Sequence, residues 1–332
     1  MPYQYRKSKN QEDSLTVAQQ LSESFDIKPY KVEELADVVK AGVRTGEIQF
    51  RQLGRSRVLV DVDEWFNNRL MPSTVSIPIK MYKQALYSAF RLVILGDIAK
   101  TDFGSSRQRD FGQMLTDFTR GYLGEAAIKV FLAQRFGLKV DLEEKMIGDI
   151  EQFLPTDIVR VWDNGSPRAP KLNFSIKTSK LPSMWLDIAR GQLSHSDVFC
   201  FIKIGLTVDH FAIFLKNAGF IQKLVEIGLE VEEVEEGAKD KEINTLLSAI
   251  PDIAPWPAYI AGYATRNDLE TGKLVVENRR SKSVVIGGCG YFGGVSAIEV
   301  EGLGEIGKEK FLASLGALRW DQSSWEYIIN NI

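Results

Sequence analysis

The chain of 332 residues predicts a mixed α/β (α+β) fold: a mixed central sheet flanked by helices, behind a small N-terminal module. Three patterns carry this. Residues 14–68 pair two helical stretches with two short strand-like ones. Apolar residues then recur at helical spacing over 81–95 and 114–136, with Gly137 as the stop. Beyond that, strand signals dominate, at 157–162, 171–177, 198–204 and 211–215.

Taken in order, residues 1–13 read as a disordered, basic-leaning tail. The segment 14–75 places helices at 15–23 and 32–41, strands at 47–52 and 58–61 around a Gly54–Arg57 turn, and a short helix from Asp63. It resembles a winged-helix or excisionase-like DNA-binding module, carried by QLGRSRVLVDVDEWF, a basic turn followed by an acid-capped helix with an aromatic anchor. A small oligomerisation or scaffolding element is the alternative. Pro72 and Pro78 bracket the connector to the main domain, 76–332. Within it, residues 184–193 read as helical between the strands at 171–177 and 198–204. Helices follow at 216–225 and 241–250, strands at 258–264, 273–276 and 283–286, and helical segments at 308–315 and 325–329.

Bulk properties narrow the function. Hydrophobic residues at 44% and charged residues at 26% are ordinary for a globular protein. A net charge of −3 offers no global attraction to nucleic acid or anionic lipid, so any polyanion must meet a local basic surface. The acidic run 226–242 takes up much of the negative charge and reads as a solvated helix or loop. No apolar run is long enough to span a membrane, and the polar N-terminus lacks the apolar core of a signal peptide. With Cys200 and Cys289 in apolar strand-like contexts, a reduced, cytoplasmic protein is expected. Only two histidines, His195 and His210, argue against His-dependent chemistry and a zinc site. Residues 288–293 fit G-x-G-x-x-G but lead into a strand-like stretch, so no nucleotide cofactor is expected and a hairpin turn is.

The chemistry concentrates between Leu123 and Lys203. Glu125 follows Gly124 in a helical pattern, and Asp157 follows Pro155-Thr156 at the start of an apolar strand. Lys177 lies in NFSIKTSK, and Asp187 and Gln192 follow in WLDIARGQ. Hydrolysing a phosphodiester needs a hard cation held by oxygen ligands and a nearby lysine to orient the nucleophile and offset transition-state charge. An unpaired charge opening an apolar strand is costly, which favours a working role for Asp157.

In this order, Gly-Glu helix, Pro-Thr-Asp strand, Ser-x-Lys strand and trailing Gln, the chain resembles the PD-(D/E)xK nucleases, and among them the type II restriction endonucleases. The likeness covers roughly residues 121–204. It implies a restriction-endonuclease-like sheet and Mg²⁺-dependent, site-specific cleavage of double-stranded DNA by a homodimer. Glu125 matches the helix acid, Asp157 the strand Asp, Lys177 the lysine and Gln192 the Gln. The acid two residues before the lysine is Ser175 here. A branch of restriction enzymes that draws this carboxylate from the following helix is similar in this respect, making Asp187 the candidate replacement. Asp157 is thus the expected central metal ligand, with Asp187 or Glu125 as second carboxylate. Lys180, Arg190 and Gln192 are candidate phosphate contacts, and Arg51, Arg55 and Arg57 candidate DNA contacts of the module, base readout otherwise falling to loops after Ile204. The alternative function is a catalytically inactive nuclease-fold DNA-binding regulator.

Overall fold

The structure, a computed structural model, describes residues 3–53, 56–95, 110–142, 156–163, 165–229, 236–280, 282–293, 298–306 and 309–332. β1 (Gln4–Tyr5) precedes α1 (Asn10–Ser24) and α2 (Val32–Thr45), which Gly46 ends at φ 74°. β2 (Phe50–Leu53) and β3 (Ser56–Leu59) form an antiparallel ribbon, with β1 added on the outer edge of β3. The chain continues through α3 (Val62–Glu64) and a π-helical turn to β4 (Thr74–Ile77) and α4 (Ile79–Leu95). α5 (Phe111–Phe136) is capped by Asp110, whose carboxylate accepts from the Gln113 N–H, and ends at Gly137 with φ 65°.

β5 (Lys139–Leu142), β6 (Ile158–Asp163) and β7 (Ser166–Arg168) make a small antiparallel sheet. Next come β8 (Phe174–Lys180), β9 (Trp185–Ala189), α6 (Arg190–Leu193) and β10 (Val198–Ile204). Three helices follow: α7 (His210–Asn217), α8 (Phe220–Leu229) and α9 (Glu236–Ala249). β11 (Trp256–Thr265) and α10 (Arg266–Thr271) precede the hairpin of β12 (Leu274–Arg279) and β13 (Lys282–Phe292). β14 (Ile298–Val300), β15 (Gly304–Glu305), β16 (Lys310–Ser314) and α11 (Gln322–Asn331) complete the chain.

Two sheets organise the body. The central one runs β4-β11-β10-β8 and is mixed, because β10 is parallel to β8 and antiparallel to β11. The second runs β15-β14-β13-β16-β9, with β12 on β13. Side-chain alternation divides the central sheet. Phe174, Cys200, Ile202 and Ile260 pack with α4, α5 and α11 in one apolar core that includes Tyr82, Phe131 and Trp325. Phe199, Phe201 and Tyr259 face the other core, shared with Leu186 and Leu312 of the second sheet and with Leu21 and Leu35 of α1 and α2. Burying both faces explains why β10 reads as one almost unbroken apolar run.

The mixed α/β character is as expected, but several local expectations give way. Within residues 3–13, β1 pairs with β3 and Arg6 pairs with the buried Asp13 at 2.9 Å, so the predicted disordered tail is an ordered edge. The helices and ribbon of the module form, yet their core is continuous with that of the second sheet, and the predicted boundary at 75 falls inside β4, which pairs with β11. Of residues 184–193, expected to be helical, 190–193 form the short helix α6 but 185–189 are strand β9, and 308–315 contain strand β16; β9 and β16 pair with each other, which overrides their Leu- and Ala-rich local preference. Conversely, the short apolar run 211–215 belongs to helix α7, an ambiguity inherent in such runs. The 288–293 glycines lie largely within β13 instead of forming a turn. A Cβ on Gly288 would sit 2.4 Å from the Lys273 carbonyl oxygen, so glycine there permits close backbone approach.

Candidate functional site

The candidate site begins with how Asp157 is fastened. β10 occupies one edge of β8, and the segment entering β6 clips onto the strand separately. The Asp157 N–H donates to the Phe174 carbonyl at 2.7 Å, and its carboxylate accepts from the Ile176 N–H. Thr156 accepts from the Phe174 N–H at 3.0 Å through its hydroxyl oxygen. These contacts hold the carboxylate beside the residue that precedes Lys177. Burial pushes the Asp157 carboxyl above its ordinary range, while the Ile176 N–H and the Lys177 charge pull it down.

Lys177 lies opposite Phe201 of β10, on the face that carries Ser175 and turns away from α5. Its ammonium donates to Gln192 Oε1 at 3.3 Å, which brings α6 to the lysine. Desolvation lowers the Lys177 pKa, and the nearby charges of Asp157 and Asp187 act against that shift. Asp187 therefore does approach the lysine, from strand β9 and not from the expected helix. Its carboxylate accepts from Lys310 of β16 at 2.6 Å. Asp157, Lys177, Asp187 and Gln192 are thus assembled around one corner of the central sheet.

The remaining expected residues are distributed more widely. Glu125 follows Gly124, at which α5 touches β8: a Cβ there would overlap Thr178 Cγ2 at 1.8 Å. Among the described residues, the carboxylates whose charge reaches Lys177 are those of Asp157 and Asp187; the Glu125 charge instead acts on the Tyr122 phenol, which burial raises first and Glu125 raises further. Ser175 is buried beside Phe199. Lys180 is exposed at the end of β8, and Arg190, exposed on α6, pairs with Glu309. Arg51 is exposed on β2, and Arg57 on β3 lies 4.3 Å from the Phe50 ring. Arg55 and Pro155 lie outside the described residues. The ribbon arginines belong to a different sheet from Lys177.

Sequence reasoning missed two lysines. Lys310 neutralises Asp187, and no local pattern announces it. Lys203 was legible in principle, as the one cation within VFCFIKI. It is fully buried on the same face as Lys177, and burial pushes its ammonium down to about 8. The neighbouring charges form a polar seam with the N-terminal helices: Glu47 accepts from Trp65 and Tyr259 and pairs with Arg69 at 3.1 Å. Asp37 and Glu47 both favour the charged form of Lys203.

Among the described residues, no group of three His, Cys, Asp or Glu side chains converges into a ready metal cage. Mg²⁺ does not require one: it is satisfied by one or two carboxylates, several waters and substrate phosphate. The hard oxygens of Asp157 and Asp187 fit that demand, with the Asp187 carboxylate shared with Lys310. No known protein-family model matches the chain, and no curated protein or solved structure matches it either.

Proposed function

We propose that the protein is a Mg²⁺-dependent, site-specific endonuclease of restriction type that cleaves double-stranded DNA as a homodimer, with a restriction-endonuclease-like central sheet. The observation that carries this reading is the meeting of Asp157 and Lys177, each shifting the other's protonation, at one strand flanked by a glycine-tight helix. The order of elements agrees with the sequence resemblance: helix α5, the β5–β6 pair, the lysine strand β8 and its parallel neighbour β10.

On this reading Asp157 and Asp187 hold Mg²⁺, which supplies a Lewis acid for the phosphoryl oxygens and a more acidic water. Lys177, fixed by Gln192 and made less basic by burial, orients the attacking water and offsets charge gathering on the phosphate. Lys180 and Arg190 contact backbone phosphates, positioning the duplex without reading it. Arg190 must exchange Glu309 for phosphate to do so.

Supercoiled plasmid incubated with the protein in Mg²⁺ tests the proposal: nicked and linear products are expected, and EDTA abolishes them. A second reading, a DNA-binding regulator on an inactive nuclease fold, is favoured by Ser175 in place of the acid and by the Lys310 grip on Asp187. Intact plasmid on DNAs of varied sequence, together with salt-sensitive gel-shift binding, selects it.

A further inference from the structure

Four charged side chains beside the candidate site form two crossed pairs. Asp187, the carboxylate given to the metal, accepts from Lys310 at 2.6 Å. Arg190, given to a backbone phosphate, donates to Glu309. The two partners are consecutive residues at the start of β16, and the groups they cover lie three residues apart across the β9–α6 junction. Strand pairing fixes the match. Leu312 stands opposite Asp187 and Lys310 opposite Ala189, so Lys310 is a diagonal neighbour of Asp187 on one face, within reach of a long side chain. One step further along, Glu309 meets Arg190.

The surroundings keep both partners in place. The Tyr291 hydroxyl and the Arg190 charge hold the Glu309 carboxyl below its ordinary range, and the Tyr291 ring lies 5.3 Å from that of Phe311, the next residue after Lys310. The backbone of Lys310 is paired on both sides, with Ala189 of β9 and Phe292 of β13. In charge, each partner imitates a reactant: an ammonium rests on a metal ligand, and an oxyanion rests on a phosphate contact. Both side chains of the Arg190–Glu309 pair are exposed and those of Asp187–Lys310 partly so. Ion pairs of this kind are weak enough to be exchanged for a better ligand.

We propose that Glu309 and Lys310 form a built-in plug of the site, Glu309 standing in for backbone phosphate on Arg190 and Lys310 for the metal on Asp187. Each is displaced by the ligand it imitates, so the resting protein inhibits itself and both reactants enter by competition. The plug rests on the preceding reading for the identity of the two ligands, but it is tested by binding and not by cleavage.

Duplex DNA without metal and Mn²⁺ without DNA are the two probes. In anisotropy titrations of a fluorescent random-sequence duplex in EDTA, Glu309→Gln should tighten binding by about three-fold. Glu305→Gln removes the same charge from the exposed strand β15 and should leave binding nearly unchanged. In an Arg190→Gln background Glu309→Gln should add nothing, because its effect passes through that guanidinium. Electron paramagnetic resonance of free Mn²⁺ should show Lys310→Met binding the ion about five-fold more tightly, a gain that Asp187→Asn removes. Circular dichroism melts verify that each variant folds. Equal gains from Glu305→Gln and Glu309→Gln, a gain that survives Arg190→Gln, or a Mn²⁺ affinity indifferent to Lys310→Met would each overturn the plug. Plasmid left intact in Mg²⁺ by a protein that shows both gains would remove the cleavage reading and leave the plug standing.

Discussion

Gly124→Ala puts the junction between helix α5 and the lysine strand to a quantitative test. Helix propensity alone makes alanine better than glycine by about 1 kcal/mol in a helix interior. The packing works against it. The new Cβ would lie 1.8 Å from Thr178 Cγ2 and 3.2 Å from Thr178 Cβ, with Ile176 Cγ2 at 3.9 Å. Overpacking a close-fitted site costs about 1–3 kcal/mol, and an overlap this deep belongs at the upper end. The net expectation is a loss of about 2 kcal/mol. Thr178→Ser removes the offending methyl and leaves the nearest atom at 3.2 Å. In that background Gly124→Ala should be neutral or slightly stabilising, so the two sites couple by about 2 kcal/mol. Urea denaturation of the four proteins measures the cycle. A Gly124→Ala variant as stable as the parent, or equal losses with and without the Thr178 methyl, would refute the close seating of α5 on β8.

Three further outcomes follow from the geometry. Lys310→Met frees the Asp187 carboxylate of a partly exposed ion pair, so stability should change by no more than about 1 kcal/mol. The Mg²⁺ concentration needed for half-maximal cleavage should fall, and an unchanged requirement would separate Asp187 from the metal. Asp187→Asn should abolish cleavage while DNA binding in a gel shift persists; normal turnover would transfer the second-carboxylate role to Glu125. Lys203, pushed from 10.5 to about 8 by burial, binds its proton more weakly folded than unfolded. Stability relative to Lys203→Met should therefore rise as pH climbs from about 8 to 10.5, by an amount on the order of 3 kcal/mol. Thermal melts of both proteins across this window check the sign, and a parent whose stability relative to Lys203→Met falls as pH rises contradicts it.

Much of the site was legible because its residues sit in elements with strong local signals. β10 is an apolar run interrupted only by Lys203, and its strand matches the predicted 198–204 span. α5 ends where Gly137 supplies the left-handed turn. Asp157 stood out as a charge opening an apolar strand, and its fastening to Phe174 and Ile176 accounts for that position. What escaped depends on pairing between distant segments. Nothing local in WLDIA or KFLAS distinguishes a strand from a helix until β9 and β16 meet. The Lys310 grip on Asp187 follows from that same pairing, so it was illegible for the same reason. The N-terminal module was misjudged at its edges because residues 4–5 gain their structure from β3, more than fifty positions away.

The central claim, that Asp157 and Lys177 serve one catalytic point, is tested most directly by single-turnover cleavage of supercoiled plasmid in Mg²⁺. Asp157→Asn, Lys177→Ala and the double variant are compared with the parent, and gel shifts verify that DNA binding persists. Groups that act as a unit are strongly non-additive. The double variant should therefore be no slower than either single one, each having lost essentially all cleavage. Cleavage retained by either single variant, or losses that multiply in the double, would contradict a shared site.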